Sequence, residues 1–336
     1  MANVLLLFGG KSAEHEISCV SAVAVAEALR NGGHKVIPIG IGKDGSWWLA
    51  DAEQDPFEAR GKTAVLQLPH GRLEADGDMY DFDVVFPVLH GPFGEDGTIQ
   101  GVFEIAGIPY VGCHVKSSAV AMDKDFTKQI AARAGIPVIP WRVVRRPDFD
   151  DPGSVVDDIV GDFGLPVFVK PAELGSSVGI SKCETEAALK EGVHAALAFG
   201  DKVVVETAMT GREIEVAVLD GRASLAGEVV VERGWYDYDA KYADETSEFV
   251  APAELTSSQM ADVRMLAERT FETLGCKGLA RVDFFLTENG FFLNEVNTMP
   301  GFTPISGFPK MWIATGMTYP ELCGALVDLA LEQPLP

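Results

Sequence analysis

Residues 4–41 read VLLLFGGKSAEHEISCVSAVAVAEALRNGGHKVIPIGI, and this stretch decides the fold class. It contains two short apolar runs, Val4–Phe8 and Val36–Ile41, and a glycine turn at Gly9–Ser12 follows the first run. After the turn, apolar side chains recur at the spacing of one helix face, at Ile17, Val20, Ala24 and Ala28. Strand, turn, helix and strand in this order predict a βαβ unit, so we expect an α/β fold with a parallel sheet.

Further elements extend this alternation along the chain. The apolar run Val84–Leu89 predicts another strand of the first layer. The region Phe163–Glu206 contains two predicted strands, a helical stretch and a third strand, at Val167–Lys170, Val178–Lys182, Glu184–Ala198 and Lys202–Glu206. The clearest later helix is Ser257–Leu274, which Gly275 should terminate. The Pro- and Asp-rich segment Arg146–Asp158 predicts a surface connection.

Composition narrows the class of protein. The chain has 336 residues, 47% of them hydrophobic, which indicates a globular protein of about two domains or three small ones. Its formal net charge of −23 disfavours nucleic acid and anionic membranes as partners. A polyanionic nucleotide would also be repelled, so an ATP site requires a local basic cluster and a divalent metal. No apolar run approaches the ~20 residues of a membrane helix.

The cysteines and the N-terminus predict a cytoplasmic protein. Five scattered cysteines, none in a Cys-x-x-Cys pair, disfavour a disulfide framework or a zinc site and fit a reducing compartment. The first ten residues lack the basic region of a signal peptide and predict a buried strand instead.

The strongest local signal is the predicted hairpin Gly278–Gly301. Its first strand has Arg281 and Asp283 on one face, and its second strand is expected to present three residues on one face, Leu293, Glu295 and Asn297. A three-residue loop ending at Gly290 would pair Asp283 with Glu295 and Arg281 with Asn297, whereas a two-residue turn would put them on opposite faces. In the first register two carboxylates and an amide converge, which suits Mg²⁺. The alternative is a salt-bridged surface hairpin.

Two stretches carry residues suited to a nucleotide. Lys170 ends a buried strand, and the next loop contains Gly175–Ser177, whose N–H groups and hydroxyls could surround a phosphate. The spacing of a Walker loop is missing, and a plain flexible hairpin is the alternative. The strand that ends at Glu206 leads into Glu213 and Glu215, which could bind adenine and ribose from a connector between lobes. Exposed acidic residues on a linker are the alternative here.

Two loops should meet at one edge of the first sheet. Gly9–Glu16 and His90–Gly97 both follow strands, and ligands bind at the carboxyl ends of strands in such sheets. Glu14 and His90 are therefore candidates, with a helix cap and a solvated histidine as the alternatives. The stretch Tyr236–Tyr242 carries one lysine and three tyrosines and predicts a mobile lid, or else a plain surface loop.

From Gly9–Glu14 to Met299–Thr303, and in order along nearly the whole chain, these segments resemble the D-alanine–D-alanine ligases of the ATP-grasp superfamily. The resemblance implies three α/β domains, with ATP gripped between the last two. These are an N-terminal substrate-binding domain (1–112), a central domain (113–204) and a C-terminal domain (205–336) with the metal site and the lid. It also implies ATP, two Mg²⁺ ions or else Mn²⁺, a cytoplasmic homodimer, and no nucleic acid or membrane partner.

The resemblance also implies individual roles. The ATP phosphates, adenine and ribose would be bound by Lys124, Lys170, Gly175, Ser177, Glu206, Ala208, Met209 and Glu213. The magnesium ligands would be Asp283, Glu295 and Asn297, although family members often have one more residue between the first two. The catalytic residues would be Glu14, Ser176, Tyr242, Arg281 and the backbone N–H of Gly301. The remaining substrate contacts would come from His90, Lys241 and Ser306.

The implied reaction joins two D-alanines for peptidoglycan synthesis. In this family the first carboxylate attacks the γ-phosphate of ATP, and the second amine attacks the resulting acyl phosphate. Tyr242 favours D-alanine as the acceptor, because relatives that use D-lactate usually carry phenylalanine or histidine there. The alternatives are a D-lactate or D-serine acceptor, another ATP-grasp carboxylate–amine ligase, and a non-enzymatic nucleotide sensor.

Overall fold

The structure, a computed structural model, describes residues 1–68, 71–231 and 247–333. Within these residues the strands form three sheets. The first sheet contains β1 (Asn3–Gly9), β2 (Lys35–Ile41), β3 (Trp47–Leu49), β4 (Lys62–Gln67), β5 (Arg72–Ala75), β6 (Asp78–Tyr80) and β7 (Val84–Val88). Its strand order is β6-β5-β4-β3-β2-β1-β7, and β1 runs parallel to both β2 and β7. With α1 (His15–Asn31) between β1 and β2, the predicted βαβ unit is confirmed.

The two other sheets are antiparallel. The second contains β8 (Trp141–Arg145), β9 (Val167–Pro171), β10 (Ser181–Cys183) and β11 (Lys202–Thr207), in the order β10-β9-β11-β8. The third contains β12 (Arg212–Leu219), β13 (Arg222–Ala223), β14 (Gly227–Val231), β15 (Ser247–Val250), β16 (Leu279–Thr287) and β17 (Gly290–Asn297). Its order is β15-β14-β12-β16-β17, with β13 beside β12. The predicted strand at Val178–Lys182 begins later than expected, because residues 172–180 form the loop after β9.

Helices cover the sheets. They are α2 (Thr98–Ala106), α3 (Val115–Met122), α4 (Lys124–Arg133), α5 (Pro152–Phe163), α6 (Glu186–Ala196), α7 (Ser257–Thr273), α8 (Gly307–Thr315) and α9 (Tyr319–Glu332). The last helix packs Leu322, Leu326 and Val327 into the core formed by α1 and the first sheet. The two ends of the chain therefore share one hydrophobic core. None of the helices in the described ranges is long and apolar enough to span a bilayer.

Two predicted segments have different outcomes. The helix at Ser257–Leu274 is confirmed: Thr256 and Gln259 form a capping box, and Gly275 follows the helix with φ +68°. The segment Arg146–Asp158 lies on the surface as predicted, but it is helical rather than a plain connection, because a 3₁₀ helix occupies Arg146–Asp150 and α5 begins at Pro152. Proline is favoured in the first turn of a helix, and Asp151 caps α5 by accepting the N–H of Ser154.

The β16–β17 hairpin has the predicted residue pairing, but its turn differs from the prediction. Asp283 lies opposite Glu295 and Arg281 opposite Asn297, as the magnesium hypothesis requires. The turn is nevertheless the two-residue form, since Thr287 pairs with Gly290. A β-bulge beyond Asp283 leaves Asn294 as the extra residue, which shifts the register back by one.

The bulge also puts Leu293 on the face of β17 opposite to the one predicted. Leu293 pairs with Phe284, and both side chains are buried in the hydrophobic core. Because Phe284 and Asp283 are successive strand residues, they point to opposite faces. Leu293 therefore does not share the face of Glu295, contrary to the prediction.

Candidate active site

A cavity of about 380 Å³ lies between the second and third sheets. It is lined by all the residues predicted to bind the nucleotide, namely Lys124, Lys170, Gly175, Ser177, Glu206, Ala208, Met209 and Glu213. Asp283 and Glu295 line it too, from the β16–β17 hairpin. Sequence segments far apart in the chain thus converge on one concave site.

A second cavity, of about 370 Å³, lies next to the first and reaches the N-terminal layer. Its wall includes the predicted catalytic and substrate-binding residues that the structure describes, namely Glu14, His90, Ser176, Arg281, Gly301 and Ser306. Asn297 lines this second cavity rather than the first. The predicted site residues Lys241 and Tyr242 lie outside the described residues.

The two cavities share part of their walls. The residues common to both are Gly175, Ser176, Glu215, Arg281 and Glu295. A group bound in the first cavity can therefore contact a molecule in the second at this shared wall. This is the arrangement that a group transfer between two substrates requires.

The lysine-bearing elements are anchored by buried ion pairs. Asp123 caps α4 by accepting the N–H groups of Asp125 and Phe126, and it also pairs with Lys202 of β11. This fixes Lys124, the first residue of α4, whose Nζ donates to the carbonyl of Leu174 at 2.7 Å. The same contact ties the loop that contains Gly175–Ser177 to the cavity wall.

Glu206 is held between two lysines at the back of the first cavity. Its Oε2 lies 2.6 Å from Nζ of Lys170, and its Oε1 lies 2.9 Å from Nζ of Lys128. Burial alone would raise the pKa of Glu206, but the two ammonium charges outweigh it and lower the pKa to about 2. The carboxylate of Glu206 is therefore already bound by two lysines of the protein itself. The backbone groups of β11 and of the residues after it face the cavity and could form hydrogen bonds with the adenine base.

Arg281 stands at the shared wall in a fixed orientation. Its Nε and Nη2 donate to Asp283 Oδ1 and Oδ2 at 2.8 and 2.7 Å, and its Nε lies 3.3 Å from Glu215 Oε2. Burial would lower the pKa of Arg281, but Asp283 and Glu215 together raise it well above its usual value. The guanidinium therefore stays protonated and is held in one orientation where the two cavities meet.

The hairpin fits a magnesium ion that is bound together with phosphate. Among the described residues, no group of three or more His, Cys, Asp or Glu side chains is arranged to hold a metal ion. The predicted set has two carboxylates, Asp283 and Glu295, and the amide of Asn297, which donates to Asp283 Oδ2 at 2.9 Å. Magnesium commonly binds one or two carboxylates and completes its shell with water and substrate phosphate, so the donor set suits it.

The N-terminal loops meet as predicted. Glu14 precedes α1 but makes no side-chain cap. Its carboxylate lies close to Gly91, since a Cβ atom added to Gly91 would be only 2.9 Å from Glu14 Oε2. His90 is buried, and its Nδ1 lies 3.0 Å from the carbonyl oxygen of Met299, so the histidine connects the loop after β7 to the segment that follows β17. Ser306 precedes α8, whose N-terminus favours a bound carboxylate.

Two charged residues of the site, Lys128 and Glu95, were not singled out from the sequence. Lys128 follows Lys124 by one helical turn, and Glu95 lies in the predicted loop His90–Gly97. Glu215 pairs across the sheet with Asp283, which in turn pairs with Glu295, so three carboxylates stand abreast. Helical spacing places Lys128 on the same side of α4 as Lys124, but nothing in the sequence indicates that Lys128 is buried.

Glu95 is expected to make the stability of the protein depend on pH. Burial and the charge of Glu14 raise the pKa of Glu95 to about 8, although it accepts the N–H of Gly91 at 2.9 Å. The folded protein then keeps a proton that the unfolded chain releases above about pH 4.5, so this group lowers stability as pH rises toward 8. Glu95→Gln should therefore gain stability over the wild type, by up to about 1.4 kcal/mol per pH unit across this range.

Thermal unfolding without ligands, at intervals from pH 5 to pH 8.5, measures this difference. Glu191→Gln, an exposed change on α6, is the control and should follow the wild type throughout. A constant difference between Glu95→Gln and the wild type at all pH values would contradict the prediction.

The sheets and the cavities between them define the class of protein. An antiparallel sheet with a loop over a lysine-lined cavity, facing a second sheet with a carboxylate hairpin, is an ATP-grasp arrangement. Family models described as "D-ala D-ala ligase N-terminus" and "D-ala D-ala ligase C-terminus" match residues 3–113 and 130–328. The chain belongs to the D-alanine–D-alanine ligase family.

Individual relatives agree with this assignment. The D-alanine–D-alanine ligases of Rhodococcus opacus and Geobacillus kaustophilus are 45% and 43% identical to this chain, with 98% of it covered and 97% and 94% of theirs. The solved D-alanine–D-alanine ligase of Coxiella burnetii superposes with a TM-score of 0.88 at 33% identity, covering 98% of this chain and 94% of its own. The VanG D-Ala:D-Ser ligase of Enterococcus faecalis superposes with a TM-score of 0.87 at 32% identity, covering 98% and 99%.

Proposed function

We propose that this protein joins two D-alanines to D-alanyl-D-alanine at the expense of ATP, for peptidoglycan synthesis. The observation that carries the proposal is the shared wall of the two cavities, where Arg281, Ser176 and Glu295 face both. ATP would occupy the first cavity, and the two amino acids would occupy the second. The names of the relatives support D-alanine as the substrate.

The reaction proceeds in two steps that the site residues support. A carboxylate oxygen of the first D-alanine attacks the γ-phosphorus, and the bond to the departing ADP breaks. Lys124 and Lys170 hold the phosphates, the Gly175–Ser177 loop covers them, and Glu14 binds the substrate ammonium. The product of this step is D-alanyl phosphate, a mixed anhydride.

The second step forms the peptide bond. The amine of the second D-alanine, after losing a proton, attacks the acyl carbonyl, and inorganic phosphate leaves. Arg281 and the N–H of Gly301 stabilise the oxyanion of the tetrahedral intermediate, and Ser306 binds the carboxylate of the acceptor, with Lys241 from the lid. Ser176, together with Tyr242 outside the described residues, would link to Glu14 and so exclude water that would hydrolyse the acyl phosphate.

The metal, the assembly and the domain division complete the proposal. Asp283, Glu295 and Asn297 would hold two Mg²⁺ ions, or Mn²⁺, which neutralise charge on the transferred phosphate. The protein would act as a cytoplasmic homodimer without nucleic-acid or membrane partners. The domains would be 1–112, 113–204 and 205–336. The three sheets support three domains, but the boundary at residue 204 falls inside β11, which belongs to the second sheet.

The proposal is tested by phosphate release from Mg-ATP with D-alanine, L-alanine or no amino acid, and by mass spectrometry of the product. Turnover is expected with D-alanine alone, with the mass of the D-alanyl dipeptide. Folded, ATP-binding protein that shows no D-alanine-dependent turnover would overturn the substrate assignment.

A mixture of acceptors tests the specificity. Because VanG is named as a D-Ala:D-Ser ligase and resembles this chain nearly as closely as the Coxiella ligase does, D-serine is the second candidate acceptor. With D-alanine, D-serine and D-lactate at equal concentrations, we expect the D-alanyl-D-alanine product to predominate because of Tyr242. If D-alanyl-D-serine or D-alanyl-D-lactate predominates, the acceptor assignment is wrong, but the ATP-dependent activation of the first D-alanine still stands.

A further inference from the structure

Lys128 is a completely buried lysine next to the nucleotide cavity. It lies on α4, one turn after Lys124, and its side chain has 0% exposure. It is not among the residues that line either large cavity, so within the described structure it is not placed to touch a bound nucleotide. A buried ammonium is costly unless it is paired, so the position of Lys128 calls for a reason.

The partner of Lys128 is the carboxylate that also holds a cavity lysine. Glu206 is 2% exposed, and its two oxygens lie 2.9 Å from Lys128 Nζ and 2.6 Å from Lys170 Nζ. Lys170 lines the cavity and also donates to Asn294 Oδ1 at 3.2 Å. The three charges thus form a row, Lys128–Glu206–Lys170, that runs from the core of the protein to the cavity.

The row carries a net charge of +1, and this charge depends on Lys128. A pair of Glu206 and Lys170 alone would be neutral, and the carboxylate would cancel the field of the ammonium that faces the cavity. Lys128 compensates the charge of Glu206 from the side of the carboxylate that faces away from the first cavity, so it does not occupy the binding site. In a chain with a net charge of −23, one positive charge near a polyanion is significant.

We propose that Lys128 is a positioning residue that neutralises Glu206, so that Lys170 is held in place by the carboxylate and still presents a positive charge to the nucleotide phosphates. This inference rests on the proposed nucleotide site. Glu206 orients Lys170, but its carboxylate would also repel the nearby phosphates. Lys128 removes this electrostatic cost.

The test uses substitutions that change the charge of the row in steps. Lys128→Met makes it neutral, and we expect the Kd for Mg-ATP and the KM for ATP to rise about tenfold while kcat at saturating ATP changes by less than threefold. Lys128→Arg keeps the charge and should stay within about threefold of the wild type. The double variant Lys128→Met/Glu206→Gln has the wild-type net charge again, so it should bind ATP more tightly than Lys128→Met.

The outcomes separate this inference from the proposed site. Calorimetric titration with Mg-ATP, without D-alanine, gives each Kd, and Lys170→Met reports on the cavity itself. If Lys170→Met weakens binding but Lys128→Met does not, or if the double variant binds no better than Lys128→Met, the role of Lys128 is wrong. If the folded wild type does not bind Mg-ATP, or if Lys170→Met leaves its binding unchanged, the nucleotide site itself is wrong. Should Lys128→Met fail to fold, Lys128→Gln makes the same charge change and keeps a donor for Glu206.

Discussion

Replacement of Arg281 by methionine is expected to lower kcat for D-alanine ligation by about 10²–10³-fold, the usual effect of losing one group that stabilises an oxyanion. Arg281 faces both cavities, and its bonds to Asp283 and its ion pair with Glu215 hold the guanidinium before any substrate binds. A donor that is already oriented needs no reorganisation when charge develops on the carbonyl oxygen. Arg281→Lys keeps the charge but loses the planar fork, so we expect an intermediate loss.

A second arginine of the same sheet provides the control. Arg212 makes a comparable two-point contact with Glu228, at 2.7 and 2.6 Å, and it does not line either large cavity. Arg212→Met should therefore affect thermal stability with little effect on kcat. Steady-state kinetics and thermal unfolding of the three variants distinguish catalysis from folding. A kcat within tenfold of the wild type for Arg281→Met would exclude the proposed role.

Local periodicity was sufficient where each residue interacts with its neighbours in sequence. The βαβ unit follows from the apolar runs of β1 and β2 and the helical spacing of α1. The end of α7 follows from Gly275. Alternation along β16 is by itself enough to put Arg281 and Asp283 on one face.

Predictions from sequence failed where a distant contact or a choice of backbone geometry decides the outcome. The bulge at Asn294 cannot be predicted from alternation alone, because both a three-residue loop and a bulged two-residue hairpin pair Asp283 with Glu295. The composition of Arg146–Asp158 was interpreted as a loop, although Asp151 and Pro152 also form a good helix start. Proline indicates the first turn of a helix as well as a connection.

Lys128 shows why the charged core of the site could not be predicted from sequence. A lysine four residues after another lysine on an amphipathic helix is usually solvated, and its burial depends on a carboxylate from β11. Glu95 is similar, because its raised pKa depends on Glu14 and on burial by other segments. Such groups become recognisable only when the tertiary structure brings their partners together.

Replacement of Glu295 by glutamine is expected to lower activity by about 10²-fold or more and to raise the Mg²⁺ concentration needed for half-maximal rate. Glu295 lies opposite Asp283 and lines both large cavities, so its carboxylate is placed to hold a cation between the phosphates and the substrates. Glutamine keeps the size of the side chain but removes the charge that attracts the ion. Phosphate release measured against Mg²⁺ concentration at fixed ATP gives both parameters.

The β16–β17 hairpin contains its own control for this experiment. Glu288 lies exposed in the turn, so Glu288→Gln removes one negative charge from the same hairpin without touching the cavities. Its Mg²⁺ dependence should match that of the wild type. Because Lys124 Nζ lies 4.0 Å from Glu295 Oε2, loss of the carboxylate could instead act through the lysine. In that case the KM for ATP would change while the Mg²⁺ midpoint stayed at the wild-type value, and Glu295 would have to be reassigned from metal ligand to phosphate-site anchor.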